Sequence, residues 1–295
     1  MGECGSGDPA PEAFLVEAST REALLAGLAS RLPATRADVV GGAVIATPRG
    51  FRAVLLRAVR RARVDAVPDR VPVGATIRIA GELLGDLGAP QLFVEDARGE
   101  VVPLSARVDG RRFEAVATLR AAGRYVLELM GRGRAGPTVA WLLRVGVGMA
   151  PGGVAASGQR VGLDEPSQAR AVFDAINGLR LRQGEAALAL DPALCQLAEG
   201  YSREMRDRGF FAHVSPFSGD LRARLSRARY RFASAGENLA EGKDALSAHA
   251  LAEESPAHRR NLLDPGYDRC GVGVAWSRDP AGDPLAIVTE IFAGG

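Results

Sequence analysis

Histidine is the side chain whose ordinary pKa lies closest to neutral pH, and this chain of 295 residues has three of them. His213 stands in Phe-Ala-His-Val-Ser-Pro and His258 in Ser-Pro-Ala-His-Arg-Arg-Asn, with Glu237 between them in Gly-Glu-Asn. Two neutral imidazoles could ligate a divalent ion such as Zn²⁺. Glu237 could act as a general base on water, or it could brace the loops as a buried hydrogen-bond acceptor. The residue types leave all three interpretations open.

Other polar residues near these motifs are predicted to support the backbone rather than to react. Residues 259–261 (Arg-Arg-Asn) directly follow His258 and are interpreted as positioning or bracing groups. Ser215 is followed by a proline and is expected to brace its loop, and no Gly-x-Ser-x-Gly sequence marks a nucleophile. His249 has no motif around it and is interpreted as a packing or surface histidine.

The segments around these residues show helical periodicity first and strand-like runs later. Apolar residues stand at i, i+3, i+4 and i+7 from Val172, and an Asp191–Pro192 pair offers an N-cap followed by a first-turn proline. The predicted elements are a helix ended by Gly184, a helix from Asp191 to Gly209, helices over about 220–229 and 244–254, and strands over about 270–276 and 285–292. Helices followed by strands predict an α+β domain with a layered sheet.

Read in order, residues of about 166–293 resemble the CAP superfamily (cysteine-rich secretory, antigen 5, pathogenesis-related 1), in its bacterial SCP-like extracellular form. The Gly-Glu-Asn segment is the most diagnostic match, and Ser-Pro-Ala-His-Arg resembles the bacterial Ser-Pro-Gly-His-Arg. The further residues that carry the resemblance are Asn177, Leu179, Arg180, Gly184, Leu190, Ala198, Met205, Tyr267, residues 271–275, Thr289, Ile291 and Phe292.

The resemblance implies a three-layer α-β-α sandwich with one large cleft, in which His213, Glu237 and His258 converge. A second glutamate would be Glu253 or Glu254. Because some clefts of this family hold metal, His213 and His258 are the expected ligands of Zn²⁺ or another divalent cation.

The same resemblance implies two functions from different classes. One is a binding or interaction module that takes a lipid, a peptide, a glycan or an envelope protein partner. The other is a divalent-metal-dependent hydrolase, peptidase-like or acting on envelope polymers, that uses His213, Glu237 and His258. An extracellular or cell-envelope location is expected for either function.

The residues before this domain read as two further parts. Residues 63–148 show short alternating runs separated by turn residues, which predicts an immunoglobulin-like β-sandwich acting as a spacer or binding module. Residues 149–165 have a linker composition. Residues 1–62 are interpreted as a small α+β segment, with Ser19 capping a helix over about 20–32 and a β-hairpin of residues 39–46 and 51–59, whose second run could also be helical.

Composition excludes several other classes of function. The 37 basic and 35 acidic residues give a net charge of +2, which offers no electrostatic footprint for nucleic acid. No apolar run reaches the ~20 residues of a transmembrane helix, and no cleavable signal peptide is visible in the chain. Cys4 precedes a short flexible sequence and could carry a lipid. Cys195 and Cys270 could pair, although the favoured interpretation is two small buried apolar residues.

Overall fold

A computed structural model of the chain describes residues 12–30, 39–149, 164–278 and 282–295. Most of the predicted linker, residues 149–165, lies outside these ranges. Cys4, the proposed lipid site, also lies outside them. The chain divides into two compact units. The first unit contains the residues up to Leu92, together with Leu104–Gly131 and Val139–Pro151. The second unit contains Phe93–Pro103, Arg132–Thr138 and Gly152–Gly295.

The first elements form a small sheet covered by one helix. They are β1 (Glu12–Ala18), α1 (Arg21–Ala29), β2 (Val39–Thr47) and β3 (Gly50–Ala58). The sheet order is β1-β3-β2 and both pairs are antiparallel, so the predicted hairpin is confirmed and its second run is a strand. Buried Leu24 of α1 packs with Val16 of β1 and Ala53 of β3.

Two details of this segment differ from the sequence prediction. The N-cap of α1 is Thr20 and not Ser19, because Thr20 has the extended backbone and its hydroxyl accepts the N–H of Ala23 at 3.1 Å. The helix ends at Ala29, three residues before the predicted end, and Ser30 is its C-cap. Strand β1 was not predicted.

The following region is rich in strands, as the sequence predicts. It contains β4 (Ala62–Val64), β5 (Arg70–Val71), β6 (Thr76–Leu83), β7 (Gly88–Glu95), β8 (Val101–Leu104), β9 (Ala106–Asp109), β10 (Arg112–Thr118), β11 (Gly123–Gly133) and β12 (Gly136–Val147). They form a four-stranded sheet, β4-β6-β10-β9, and a five-stranded sheet, β5-β12-β11-β7-β8. Along β10 the apolar residues Phe113, Ala115 and Ala117 are buried and their neighbours are exposed, which confirms the predicted alternation.

The C-terminal elements surround a four-stranded sheet. They are α2 (Glu165–Arg182), β13 (Ala189–Leu190), α3 (Pro192–Arg208), α4 (Leu221–Arg227), β14 (Ser234–Gly242), α5 (Ala245–Glu254), α6 (Pro256–Leu263), β15 (Arg269–Arg278) and β16 (Pro284–Gly294). The sheet order is β13-β15-β16-β14, which places β14 at one edge. The four predicted helices and two predicted strands are present, whereas β13, β14 and α6 were not predicted.

Helices cover both faces of this sheet, as expected for three layers. On one face, Val288 and Phe292 of β16 join a core with residues of α2, α5 and α6. On the other face, Ile291 packs with Leu194 and Ala198 of α3. Successive residues of a strand point to opposite faces, so one strand serves both cores.

Two glycines allow α3 to lie directly on the sheet. A Cβ atom on Gly271 of β15 would lie 2.2 Å from the backbone carbon of Leu194, and one on Gly273 would lie 2.1 Å from that of Ala198. Any side chain at these positions would push the helix away. The Gly-Val-Gly-Val sequence therefore alternates a helix-contact position with a core position.

Candidate functional site

Strand β14 organises the site because its consecutive residues point to opposite faces at the edge of the sheet. Glu237 pairs in register with Ile291 of β16, on the face that α3 covers, and Asn238 pairs with Glu290 on the other face. Glu237 and Asn238 are both buried. The Gly-Glu-Asn motif therefore supplies one polar side chain to each face of the sheet.

The carboxylate of Glu237 is engaged at both oxygens. Its Oε1 lies 2.9 Å from Nδ1 of His213, and its Oε2 accepts a hydrogen bond from Nη2 of Arg224. The side chains of Arg224 and Glu237 are 5% and 4% exposed, so their ion pair is buried. Arg224 was missed by sequence reasoning, and nothing in its local sequence distinguishes it from a surface arginine.

Arg224 is held by further contacts with the loop that carries His213. Its Nη1 donates to the carbonyl of Gly219 at 2.8 Å and to that of His213 at 3.5 Å. Its guanidinium carbon lies 3.4 Å from the centre of the Tyr201 ring, in a cation–π contact. The Tyr201 hydroxyl in turn donates to the carbonyl of Ala212 at 2.5 Å. Burial raises the pKa of Tyr201, so this hydroxyl stays protonated at neutral pH.

His258 comes from α6 and faces His213. The two rings are stacked with their centres 6.4 Å apart. Nδ1 of His258 lies 2.8 Å from the hydroxyl of Ser255, which is also the N-cap of α6. Loss of hydration in the site, together with the neighbouring His213, lowers the pKa of His258 to about 4. His258 is therefore a neutral imidazole at neutral pH.

A second polar network lies on the opposite face of β14. Asn238 donates to Oε2 of Glu290 at 3.0 Å and to the carbonyl of His258 at 3.2 Å. Oε1 of Glu290 lies 2.7 Å from Nδ1 of His249, and both residues are buried. His249 is thus a buried and paired residue rather than a simple packing or surface histidine. Glu290 was missed because a carboxylate inside an apolar strand gives no sign of its partner.

Three predicted bracing residues do brace the backbone. Asn261 donates to the carbonyl of Glu237 at 3.3 Å and to Oδ1 of Asn238 at 2.9 Å. Ser215 Oγ accepts the N–H groups of Phe217 and Ser218 at 2.9 and 3.0 Å and donates to Glu204.

Arg259, the third, is buried, and its Nε donates to the carbonyl of Gly99 at 3.3 Å within the same compact unit. Arg260, also predicted to brace, is instead exposed.

Neither candidate for a second glutamate completes the group. Glu253 lies 3.8 Å from Arg182 and 3.6 Å from Arg259, so its charge is directed to those two arginines. Among the described residues, the side-chain hydrogen bonds of His213, Glu237 and His258 go to one another, to Arg224 and to Ser255. The hydroxyl of Ser255 occupies the place beside His258.

The donor set fits a metal centre poorly. Within the described residues no group of three or more histidine, cysteine, aspartate or glutamate side chains is placed to hold a metal ion. The carboxylate beside His213, Glu237, already holds Arg224 and His213 with its two oxygens. Cys195 and Cys270 are both free thiols. Cys270 is buried, as predicted for a small apolar residue, whereas Cys195 is only half-buried.

Comparisons with known proteins give the same family as the motifs. The model of the cysteine-rich secretory protein family, CAP, matches residues 173–290. An uncharacterized membrane protein of Bacillus subtilis strain 168, YlbC, is 35% identical over 107 residues, which are 35% of this chain and 30% of that protein. YkwD of the same organism is 32% identical over 103 residues, which are 35% of this chain and 40% of YkwD. The match thus spans about a third of the length of these relatives.

Solved structures similar to this chain include two bacterial proteins. An extracellular SCP-domain protein of Bacillus anthracis strain Ames is 19% identical, with 86% of this chain and 81% of that one covered and a TM-score of 0.41. A cysteine-rich secretory protein of Staphylococcus aureus Mu50 is 17% identical, with 92% and 90% covered and a TM-score of 0.38. By its motifs and its family match, the C-terminal part of this chain, residues 173–290, is a CAP domain of the cysteine-rich secretory protein family.

Proposed function

We propose that this chain is an exported or envelope-associated protein whose CAP domain binds a ligand at the paired rings of His213 and His258, without turning it over. The observation that carries the proposal is the state of Glu237, whose oxygens are both engaged, one by Arg224 and one by His213. A general base has to reach a water molecule. The Glu237 side chain is only 4% exposed and holds an arginine and a histidine, which favours a bracing role over catalysis.

The two imidazoles are the groups left to meet a ligand. In each ring the Nδ1 atom already has a hydrogen-bond partner within the protein, which is Glu237 for His213 and Ser255 for His258. Their Nε2 atoms remain for a ligand, and His258 is neutral because its pKa is lowered to about 4. A polar group of a lipid, peptide or glycan can be held by such neutral donors and acceptors.

The strand-rich region is proposed to serve this binding role as a spacer or second binding module. We propose an immunoglobulin-like sandwich for residues 63–148, a linker at 149–165, a small α+β segment at 1–62 and a CAP domain at 166–295. An envelope location is supported by the name of YlbC as a membrane protein. Within the described part of the chain, no helix is long and apolar enough to cross a bilayer.

Calorimetric titration of the full chain with three probes tests the proposal: a lysophospholipid, an oligomer of N-acetylglucosamine and an extended alanine-rich peptide. We expect saturable binding of one probe, its loss in His213→Ala/His258→Ala, and recovery of the probe chemically unchanged. Arg227→Ala, an exposed change on α4, is the matched control and should bind as the wild type does. Turnover of a bound probe, or equal binding by the double variant, would contradict the proposal.

A metal-dependent hydrolase is the second candidate. One observation favours it: the Glu237–His213 contact fixes one ring nitrogen and leaves the other outward, an arrangement common among metal-binding histidines. Calorimetry with Zn²⁺ separates the two candidates. One-to-one binding that the double variant loses would support a metal site, and absence of binding at millimolar Zn²⁺ would exclude this candidate.

A further inference from the structure

Strand β2 is an edge strand with an unusual composition. Among the described residues it pairs with β3 alone, in the order β1-β3-β2, over a continuous register from Val39 to Thr47. Its sequence, Val-Val-Gly-Gly-Ala-Val-Ile-Ala-Thr, contains no charge and no proline over nine residues. Edge strands are normally protected from adding a further strand by charges, prolines or bulges. β2 has none of these protections.

The apolar side chains of β2 are left in solvent. Val40, Val44 and Ile45 are 50%, 55% and 56% exposed. The small core of this segment takes its residues from β1, α1 and β3, namely Val16, Leu24 and Ala53, with partly buried residues of the same three elements around it. Helix α1 thus stabilises two of the three strands and leaves the third with exposed branched side chains on both of its faces.

We infer that β2 is the contact surface for a second copy of this chain, which adds its own β2 in antiparallel register centred on Ala43. In that register the two-fold axis places Gly41 opposite Ile45 of the second copy, and Gly42 opposite Val44. The two glycines of each strand therefore offer space where the two branched side chains of the other need it. A charged strand from another protein would place its charges against this uncharged segment. Those charges would lose hydration without gaining an opposite charge, which disfavours such a partner.

The resulting assembly is closed. Pairing through the same segment of both copies is isologous, and it yields a six-stranded sheet in which each β2 has a partner on both sides. The outer edges are then formed by β1, which carries Glu17 in an ion pair with Arg52. A charged edge resists further strand addition, so the assembly stops at two copies. Because one strand pair buries less surface than the roughly 1,200 Å² of a standard interface, the dimer is expected to be reversible.

Sedimentation velocity of the full chain at increasing concentration tests this inference. The wild type should shift from monomer to dimer, whereas Val44→Lys should remain a monomer at every concentration, since the register would place the two new positive charges as diagonal neighbours on one face of the sheet. Val116→Lys changes an equally exposed valine, 56%, on β10 and is the matched control that should dimerise as the wild type does. A wild type that stays monomeric, or a Val44→Lys variant that dimerises equally, would overturn the inference.

A cysteine placed on the two-fold axis tests the register separately. Under mild oxidation Ala43→Cys should form a disulfide-linked dimer well above the wild-type background. Thr47→Cys, which the register places opposite residue 39 and far from its own copy, should not. Equal cross-linking of both variants, or of neither, would show that the proposed register is wrong.

Discussion

At the scale of single residues, the site contains a buried ion pair between Arg224 and Glu237. Two opposite charges buried together are stable only when both are present, because either one left alone has lost its hydration without compensation. Arg224 also packs on Tyr201 and holds the His213 loop through two carbonyls. The position of His213 thus depends on a residue that no motif contains.

Replacing Arg224 with methionine should lower the free energy of unfolding of the C-terminal unit by about 3 kcal/mol, because Glu237 then remains buried without its cation. Calorimetric or denaturant unfolding measures this loss. The control is Arg227→Met on the same helix, where the side chain is exposed and the change should stay within about 0.5 kcal/mol. An equal loss of unfolding free energy in both variants would mean that the buried Arg224–Glu237 pair does not stabilise the fold.

His258 should titrate near pH 4, well below the ordinary value of about 6.5. Since its pKa is lower in the folded chain than in the unfolded chain, its contribution to stability is complete above about pH 6.5. That contribution, about 3 kcal/mol, is lost as the pH falls from about 6.5 to about 4. NMR titration of the imidazole signal checks the pKa directly, and a midpoint near 6.5 would contradict the geometry.

The sequence predicted the residues of the site that belong to motifs and missed those that do not. His213, Glu237 and His258 stand among glycine, proline and asparagine residues that mark them. Arg224 lies in Asp-Leu-Arg-Ala-Arg, where spacing alone does not show which arginine turns inward. Ser255 carried a usable signal, since a serine followed by proline is a typical helix start.

At the scale of elements, the backbone of α3 packs directly against β15. Gly273→Ala should cost about 3 kcal/mol or more, because its Cβ would lie 2.1 Å from the backbone of Ala198 and α3 would have to move. Gly200→Ala is the matched control within α3. No atom lies within 4 Å of its Cβ position, so alanine should stabilise the helix by up to about 1 kcal/mol. Thermal unfolding of both variants should therefore show shifts of opposite sign.

The elements that sequence patterns missed share a physical reason. Strand β14 is buried on both faces at residues 237–240, so its side chains do not alternate between polar and apolar. In β1 an exposed leucine, Leu15, stands between buried Phe14 and Val16, which hides the period of two. Strong helical periodicity, as in α2 and α3, is easier to recognise because it extends over several turns.

At the scale of the whole molecule, the order of the parts could be predicted and their function could not. A strand-rich region followed by a CAP domain appears in the sequence as a change from short alternating runs to helical periodicity. The ligand depends on which side-chain atoms remain free after the domain has folded. That requires the partners of Glu237, His213 and His258, which come from distant parts of the C-terminal unit.

The most direct test of the account is an NMR experiment on the histidine rings of the full chain, titrated with the lysophospholipid, the N-acetylglucosamine oligomer and the alanine-rich peptide. The chain has three histidines, so each ring can be assigned by a single substitution. We expect that one probe shifts the signals of His213 and His258 together and leaves that of buried His249 unchanged. If no probe moves the His213 and His258 signals, or if all three histidines respond equally, these two rings are not the binding site.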